Sequence, residues 1–404
     1  MAQLVAYVGT YGVAPGTKGG GIFGLSVSDD GKELLPLSYM TEPRDAGYLV
    51  YAPETSTLYV VDERKTDGRG PVDEPSAVHA IDVNRKTGAL SWRNSQPAPG
   101  PRPTFLDYSP EHRLIVSANH GDFQHVEKVV QFSDGTWGSE FVYDDSTLLV
   151  FPLESDGRLC RVSDVHVFSG HGMDPNSSPQ NAGHAQASPH AHCAVIDPSG
   201  RFVLVGDKGT DRIKVFRLGQ KLEKVFSCQL KPQAGPRHIA FDSVTGLAFV
   251  TLEFASQIAS FEFDARTGEL KLLDAVTTLR QPCDRCNEPA EVRVHPAGRY
   301  VYVNNRGEDS LAWFEFNSAG SIRRLGDVPL AASIHPGLAA RSFTFDPSGS
   351  FLLVADRPAG LVRSYAVNGE TGELIWQADT PVPDPAYIVF VELDGAAVGN
   401  SELS

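Results

Sequence analysis

Apolar and polar positions along this chain alternate in short runs, and one phrase of such runs recurs. The phrase is an apolar stretch, a turn of the Asp-Pro-Ser-Gly type, and a second apolar stretch. Clear copies begin at residues 194, 239, 292 and 343, weaker copies lie at 50–53 and 106–110, and a partial copy lies at 4–11. Apolar residues at every second position with turn residues between the runs are typical of β-strands.

Each copy continues with a third apolar run, such as 213–218 or 311–316, and then a turn and a short fourth run. Four short strands every ~45–55 residues describe one blade of a β-propeller, and seven copies fit the chain. A single blade cannot bury both faces, so the blades must pack around a common axis. The sequence therefore predicts an all-β, seven-bladed propeller of four-stranded antiparallel blades, one domain over residues 1–404, closed by the last run, 387–391. Two β-sandwiches, the competing fold, give no reason for the repetition.

Two insertions interrupt the repeat in the third blade, near residues 121–145 and 160–188. The second is rich in Gly, Pro, Ser, Asn and His. Loops this long inside a compact domain are usually functional lids or disordered segments.

The charge balance narrows the choice of partners. Lys and Arg number 35 and Asp and Glu 50, a formal net charge of −15. Nucleic acids and anionic membranes require a surplus of positive charge, so neither is an expected partner, whereas a small anionic ligand in a local cleft is not excluded. No apolar run reaches the ~18–20 residues of a membrane helix, and the first residues lack the pattern of a signal peptide. Five cysteines suit a reducing compartment. We expect a cytoplasmic protein and, because a closed propeller has few exposed edges, a monomer.

Propeller geometry places two sets of residues on one rim, those that begin the first strand of a blade and those that follow its second strand. The first set contains His190, His192, Arg237, His238, Glu291 and Arg341, and the second contains His120, Lys208, Glu253, Arg306 and Arg357. Arginine suits carboxylate or phosphate binding, and His and Glu can transfer protons. The sequence predicts an anion-binding pocket with acid/base groups, although any one of these residues could instead satisfy a turn or pair with a neighbour.

Several short motifs, in this order, resemble the seven-bladed propeller lactonase family, which includes bacterial 6-phosphogluconolactonases and fungal 3-carboxy-cis,cis-muconate lactonizing enzymes. They are Tyr-Val-Gly-Thr-Tyr at 7–11, Pro-His-Ala-His at 189–192, Gly-Pro-Arg-His at 235–238 and Asn-Arg-Gly-Glu-Asp-Ser at 305–310. The resemblance implies catalytic roles for His190 or His192, Arg237, Glu253 and Arg306. The chain departs from the family in its third-blade insertions and in Leu252-Glu253, where Asn-Glu is usual.

The expected reaction is hydrolysis of a small anionic sugar lactone similar to 6-phosphogluconolactone, without a cofactor. Such a reaction needs a base for water and a donor for the oxyanion. Glu253 or His192 is the candidate base, and Arg237 or His238 the candidate donor. Substrate-binding roles are expected for Lys208, His238, Arg341, Arg357 and His120, of which Arg341 and Lys208 would join Arg306 in holding the anionic tail.

Three alternatives stay open. The same groups could close a muconate-type diacid into a lactone. A metal-dependent hydrolase or lyase could use His166, His171, His184, His190 and His192, although their spacing is irregular. A non-catalytic propeller could bind a protein through its rim. The Cys-x-x-Cys at 283–286 has no second pair, the glycine cluster at 16–21 lacks a following helix, and no Gly-x-Ser-x-Gly motif is present.

Overall fold

The computed structural model describes residues 3–12, 18–64, 76–175, 185–281, 286–334 and 337–394. These residues form thirty β-strands and one 3-10 turn, Arg357–Ala359. In the described segments, no helix is long and apolar enough to span a bilayer.

Seven antiparallel four-stranded sheets and one separate hairpin contain all thirty strands. The first sheet consists of β1 (Gln3–Thr10), β2 (Gly21–Val27), β3 (Leu34–Met40) and β30 (Pro385–Leu393). The second consists of β4 (Ala46–Ala52), β5 (Thr57–Asp62), β6 (Ala77–Val83) and β7 (Leu90–Pro97). The third consists of β8 (Pro103–Ser109), β9 (Leu114–Asn119), β12 (Thr147–Pro152) and β13 (Asp164–Val167). The fourth consists of β14 (Ala191–Ile196), β15 (Phe202–Asp207), β16 (Arg212–Arg217) and β17 (Glu223–Gln229).

The last three sheets follow in chain order. The fifth consists of β18 (Pro236–Phe241), β19 (Ala248–Leu252), β20 (Gln257–Asp264) and β21 (Glu269–Thr277). The sixth consists of β22 (Glu288–Val294), β23 (Tyr300–Arg306), β24 (Ser310–Phe316) and β25 (Ile322–Pro329). The seventh consists of β26 (Ser342–Phe345), β27 (Phe351–Asp356), β28 (Leu361–Val367) and β29 (Leu374–Pro381). The predicted seven-bladed propeller is confirmed.

The ring closes as predicted, because the last strand completes the first blade. Strand β30 pairs antiparallel with β1, with Val5 opposite Val391 and Tyr7 opposite Val389. Strand β30 also lies beside β4 and β26, the innermost strands of the second and seventh blades. The seven innermost strands surround an axial channel with a cavity of about 360 Å³.

Apolar side chains of the second and third strands fill the space between blades. Phe202, Phe216, Phe249 and Phe314 are almost completely buried there. Burial of such side chains contributes about 1.5–3 kcal/mol each. The polar ends of the strands are thereby held on a closed, rigid frame.

A β-bulge near the start of the innermost strand recurs in six blades. In β14 the pairing moves from Ala191 to Cys193 and leaves His192 as the extra residue. In β18 it moves from Pro236 to Ile239 and leaves Arg237 and His238 opposite the single residue Thr251. Strands β4, β8, β22 and β30 also have one extra residue at this place. We call these the inner-strand bulges. A bulge changes the direction of the side chains that it carries. In β14 and β18 those side chains belong to candidate site residues.

The first predicted insertion forms a hairpin of β10 (His125–Gln131) and β11 (Trp137–Tyr143), which pair with each other and with no other described strand. Within the second predicted insertion, 164–167 form β13, the outer strand of the third blade. Residues 176–184 of that insertion, including His184, lie outside the described residues.

Candidate active site

A cavity of about 310 Å³ opens on the rim where the innermost strands begin and the second strands end. Its lining side chains come from six blades, the second to the seventh. They are Glu63, Arg102, Thr104, His120, Asp122, Phe123, His192, Lys208, Arg237, Glu253, Glu288, Arg306 and Arg341. The cavity therefore exists only where the ring of blades is complete.

The carboxylate of Glu253, directly after β19, lies at the centre of this set. It is 1% exposed and is contacted by three cations. Nζ of Lys208 lies 2.9 Å from Oε1, Nε of Arg237 lies 2.8 Å from Oε2, and Nη2 of Arg306 lies 3.2 Å from Oε2. Burial by itself would raise the pKa of Glu253, but Lys208, Arg306 and Arg237 outweigh it and hold the pKa well below its usual range. Glu253 is therefore a permanent anion and a very weak base.

Arg237 and Arg306 are fixed by this carboxylate in different ways. Arg306 also contacts Oε2 of Glu288 at 3.0 Å and donates from Nε to the Glu288 carbonyl at 3.2 Å. Arg237 is buried, and its Nη1 has no hydrogen-bond partner among the described residues. Burial and the neighbouring Arg306 lower the pKa of Arg237 to about 10, so it stays charged at neutral pH. A buried guanidinium N–H without a partner is a donor prepared for an oxyanion.

Charges in the cavity nearly cancel. Five cations line it, Arg102, Lys208, Arg237, Arg306 and Arg341, against the four carboxylates Glu63, Asp122, Glu253 and Glu288. Two of the carboxylates reach their cations only loosely, since Glu63 lies 3.9 Å from Arg341 and Asp122 lies 3.4 Å from Arg102. An anion could replace these longer contacts while the Glu253 cluster stays intact.

Three histidines lie together on the wall formed by the third and fourth blades. His120 and His192 line the cavity, whereas His190 is stacked behind His120 with ring centroids 4.6 Å apart. Nδ1 of His190 lies 3.0 Å from the His120 carbonyl oxygen, and its backbone N–H donates to Asp207. Of the two candidates in the Pro-His-Ala-His motif, His192 therefore reaches the cavity, and His190 supports its wall.

All of these imidazoles are held neutral. Burial, Arg237 and His238 place the pKa of His192 well below its usual range, and burial and Lys208 do the same for His120. Burial and Lys208 lower the pKa of His190 to about 4. A neutral imidazole has a ring nitrogen free to accept a proton, which an ordinary histidine retains only above pH ~6.5.

Lys208 follows β15 and lies between aromatic rings. Its Nζ is 5.3 Å from the centroid of Phe123 and 5.7 Å from that of Phe254. Burial lowers the pKa of Lys208, and the bond to Glu253 opposes that effect. One of its three N–H donors is used by Glu253, which leaves donors for a ligand.

The structure brings some of the remaining predicted residues to the cavity and leaves others outside it. Arg341 lines the cavity, and its Nη2 donates to the Gly337 carbonyl at 3.2 Å. His238 and Glu291 lie below the cavity floor, where His238 contacts His192. Arg357 does not line the cavity; it contacts Asp384 at 3.3 Å and lies over the Tyr11 ring. The structure thus does not bring Arg357 to the site.

Sequence reasoning missed Glu63, Arg102, Asp122, Phe123 and Glu288, all of which line the cavity. Glu63 and Arg102 belong to blades whose copies of the repeat are weak. Glu288 begins β22 and lies three residues before Glu291, so the inner-strand bulge hides its position in the repeat.

The described histidines of the proposed metal loop do not converge. His166 lies against Phe168 and Phe216, and Nδ1 of His171 contacts the Gly172 carbonyl oxygen at 2.6 Å. Among the described residues, no group of three or more His, Cys, Asp or Glu side chains is arranged to hold a metal ion. Cys283 lies outside the described residues.

The rim cavity of this seven-bladed propeller brings paired Arg and Glu side chains together with neutral His side chains, a set of groups suited to acid/base chemistry on a small molecule. The chain belongs to the seven-bladed β-propeller lactonase family, whose model matches residues 5–390. It is 27% identical over 396 residues to the 6-phosphogluconolactonase of Bacillus subtilis, covering 97% of this chain and 99% of the relative. It is 24% identical over 369 residues to that of Formosa agariphila, covering 89% and 91%.

Solved structures show the same fold. The periplasmic gluconolactonase of Pseudomonas aeruginosa superimposes with a TM-score of 0.79 at 24% identity and covers 97% of this chain and 99% of its own. A Lactobacillus plantarum protein superimposes with a TM-score of 0.79 at 23% identity, covering 97% and 100%.

Proposed function

We propose that this protein hydrolyses a sugar lactone with an anionic group, and that 6-phosphogluconolactone is the substrate. The observation that carries the proposal is that His192, a neutral imidazole, and Arg237 line the same cavity, and that Nη1 of the buried Arg237 guanidinium has no hydrogen-bond partner in the described part of the chain. Lactone hydrolysis needs these two groups, a base for water and a donor for the developing oxyanion.

In the proposed reaction His192 takes a proton from water, and the water oxygen bonds to the lactone carbonyl carbon. Arg237 stabilises the negative charge that moves onto the carbonyl oxygen. When the bond between that carbon and the ring oxygen breaks, His192 returns its proton to the ring oxygen. The product is a hydroxy acid, which releases its carboxyl proton to solvent, so all atoms and charges balance.

Glu253 is a positioning residue in this scheme. Both oxygens of its carboxylate are contacted by cations, which argues against a role as the base, and these contacts hold Arg237, Arg306 and Lys208 in place. Arg341, with its loose contact to Glu63, and the unused donors of Lys208 and Arg306 would hold the phosphate.

The test is a pH-stat assay of the purified protein with three substrates, corrected for spontaneous lactone opening. We expect fast hydrolysis of 6-phosphogluconolactone, slower hydrolysis of unphosphorylated gluconolactone, and no conversion of 3-carboxy-cis,cis-muconate. His192→Gln should lower kcat/KM by about 10²–10⁴-fold. The matched control is His79→Gln, since His79 is also buried but lies in the second blade away from the cavity.

Two results would contradict the proposal. Turnover of the muconate with none of either lactone would assign the site to ring closure instead of hydrolysis. Full lactone hydrolysis in a folded His192→Gln variant would remove His192 from the mechanism.

A further inference from the structure

A line of contacts runs from the cavity wall into the axial channel, and the reaction described above does not use it. Nδ1 of His192 lies 3.2 Å from Nε2 of His238, and Nδ1 of His238 lies 3.4 Å from Oε2 of Glu291. Nε of Arg293 lies 3.3 Å from Oε1 of Glu291. His238 and Glu291 are each only 4% exposed and do not line the cavity.

These residues meet because of the inner-strand bulges. His192, His238 and Glu291 are bulge residues of β14, β18 and β22, the innermost strands of three successive blades. The bulged backbone is held by polar side chains of second strands: the His238 N–H donates to Thr251, and the Glu291 N–H donates to Asn304. The line is thus built on rigid strands and not on loops.

Proton positions along the line follow from the group at its end. Glu291 is an anion: burial would raise its pKa, but Arg293 and His238 hold the pKa below the usual value. Oε2 of Glu291 lies 3.4 Å from Nδ1 of His238, outside hydrogen-bond geometry, and its negative charge favours the proton on that nitrogen. Burial and Arg237 lower the pKa of His238 to about 4, so its ring is neutral and its Nε2 has no proton. That nitrogen accepts from Nδ1 of His192, and neutral His192 then has an unprotonated Nε2.

We propose that His238 and Glu291 are positioning residues that hold His192 in the tautomer with its Nε2 lone pair free to accept a proton from water. This inference rests on the proposed function for its catalytic meaning. When His192 takes the proton, the new positive charge is shared with His238 and faces the Glu291 carboxylate, which stabilises it.

The neighbouring His120 provides a comparison. Its Nδ1 lies 2.8 Å from the Gly121 carbonyl oxygen, so its Nε2 is also unprotonated. A carbonyl is neutral, however, and stabilises an imidazolium less than a carboxylate does. The line to Glu291 therefore favours His192 over His120 as the base.

Histidine-selective ¹⁵N NMR of the full chain tests the proton positions directly. We expect the His192 signals to show a protonated Nδ1 and an unprotonated Nε2 at neutral pH, with assignment from His192→Gln. Glu291→Gln, whose amide can donate or accept, should shift His192 towards the other tautomer. A wild-type spectrum with a protonated Nε2 on His192 would overturn the inference, whatever substrate the protein uses.

Kinetics tests the consequence. His238→Gln and Glu291→Gln should each lower kcat by about 10–100-fold with little change in KM, because neither residue lines the cavity. The acid limb of the kcat/KM profile should move to lower pH when the Glu291 charge is removed. The other charged or titratable groups facing His192 and His238 are Arg237, Lys208, His120 and Arg293, and they are unchanged in both variants.

Glu262→Gln on the exposed face of β20 is the matched control for Glu291→Gln. Glu291→Asp, which keeps the charge, should restore part of the rate. Folded variants with unchanged kcat and an unchanged profile would overturn the inference. If the wild type hydrolysed no lactone, the proposed function would fail, while the NMR spectra would still decide the tautomer.

Discussion

Nε of Arg237 lies 2.8 Å from Oε2 of Glu253, although both side chains are almost completely removed from solvent. A buried carboxylate that holds three cations makes the cavity electrostatically rigid. Loss of its charge would leave Arg237, Arg306 and Lys208 close together without a counter-ion.

We therefore expect Glu253→Gln to lower kcat/KM by about 10²-fold, and to lower the free energy of unfolding by about 3–5 kcal/mol because a buried ion pair is broken. The pH-rate profile should keep its acid limb, since the proposed base is His192. Steady-state kinetics from pH 4 to 8 and urea unfolding provide the measurements. A profile in which the acid limb disappears would instead identify Glu253 as the base.

Arg341 should determine the preference for a phosphorylated substrate. Its contact with Glu63 is long, at 3.9 Å, and it is placed to meet an anion at the cavity mouth. Arg341→Gln should raise KM for 6-phosphogluconolactone by about 10–100-fold, the value of one charge-assisted hydrogen bond, and leave gluconolactone unaffected. Arg324→Gln on the outer strand β25 is the control. Equal losses for both lactones would refute a phosphate-specific role.

Gly206 on β15 sets the distance between the fourth and fifth blades. A Cβ there would lie 2.8 Å from the Arg237 carbonyl oxygen and 2.9 Å from that of Pro236. Gly206→Ala should displace the bulge that carries Arg237, lower kcat by at least about tenfold and destabilise the fold by about 1–3 kcal/mol. Gly369→Ala, which would meet no atom within 4 Å, should change neither property. Wild-type activity in Gly206→Ala would show that the blades can separate without cost.

His79 predicts a pH dependence of stability outside the site. Burial and Arg64 lower its pKa to about 4, whereas an unfolded chain binds the proton below about pH 6.5. Between these values the unfolded state binds more protons, so stability falls as the pH falls from about 6.5 to about 4, by up to roughly 3 kcal/mol. His79→Gln should lose this component in urea unfolding at pH 7, 6, 5 and 4. His125→Gln, on the exposed hairpin, should keep this component. The same dependence of unfolding free energy on pH in the wild type and in His79→Gln would contradict the assignment.

The sequence was sufficient for the fold because the repeat encodes each blade separately. Strand alternation, the recurring turn and the unpaired last run predict seven sheets and the closing pair of β1 and β30, all of which the structure contains. Each of these signals is formed by residues that are close together along the chain, so each can be recognised in a single sequence.

The site was predictable only as far as the repeat could be aligned. Residues at or just after the ends of second strands, such as Arg306 and Lys208, could be placed on the rim because those strands are regular. Each inner-strand bulge adds one residue to its strand and so shifts the alignment of the repeat. The alignment therefore could not show which of His190 and His192 reaches the cavity, and it could not place His238 and Glu291 below the cavity. Pairing between different blades, such as Lys208 with Glu253, depends on the closed ring and leaves no trace in local sequence.

The pairing of β1 with β30 also constrains how the protein is made. Strand β1 cannot complete its sheet until β30 has been synthesised, and contacts between strands so distant along a chain are slow to form. The six blades that line the cavity are each built from one stretch of chain, so a nascent chain that lacks β30 can contain those six sheets and still have an open ring. The synthesis of β30 is therefore the earliest moment at which the complete ring, and with it the cavity, can form.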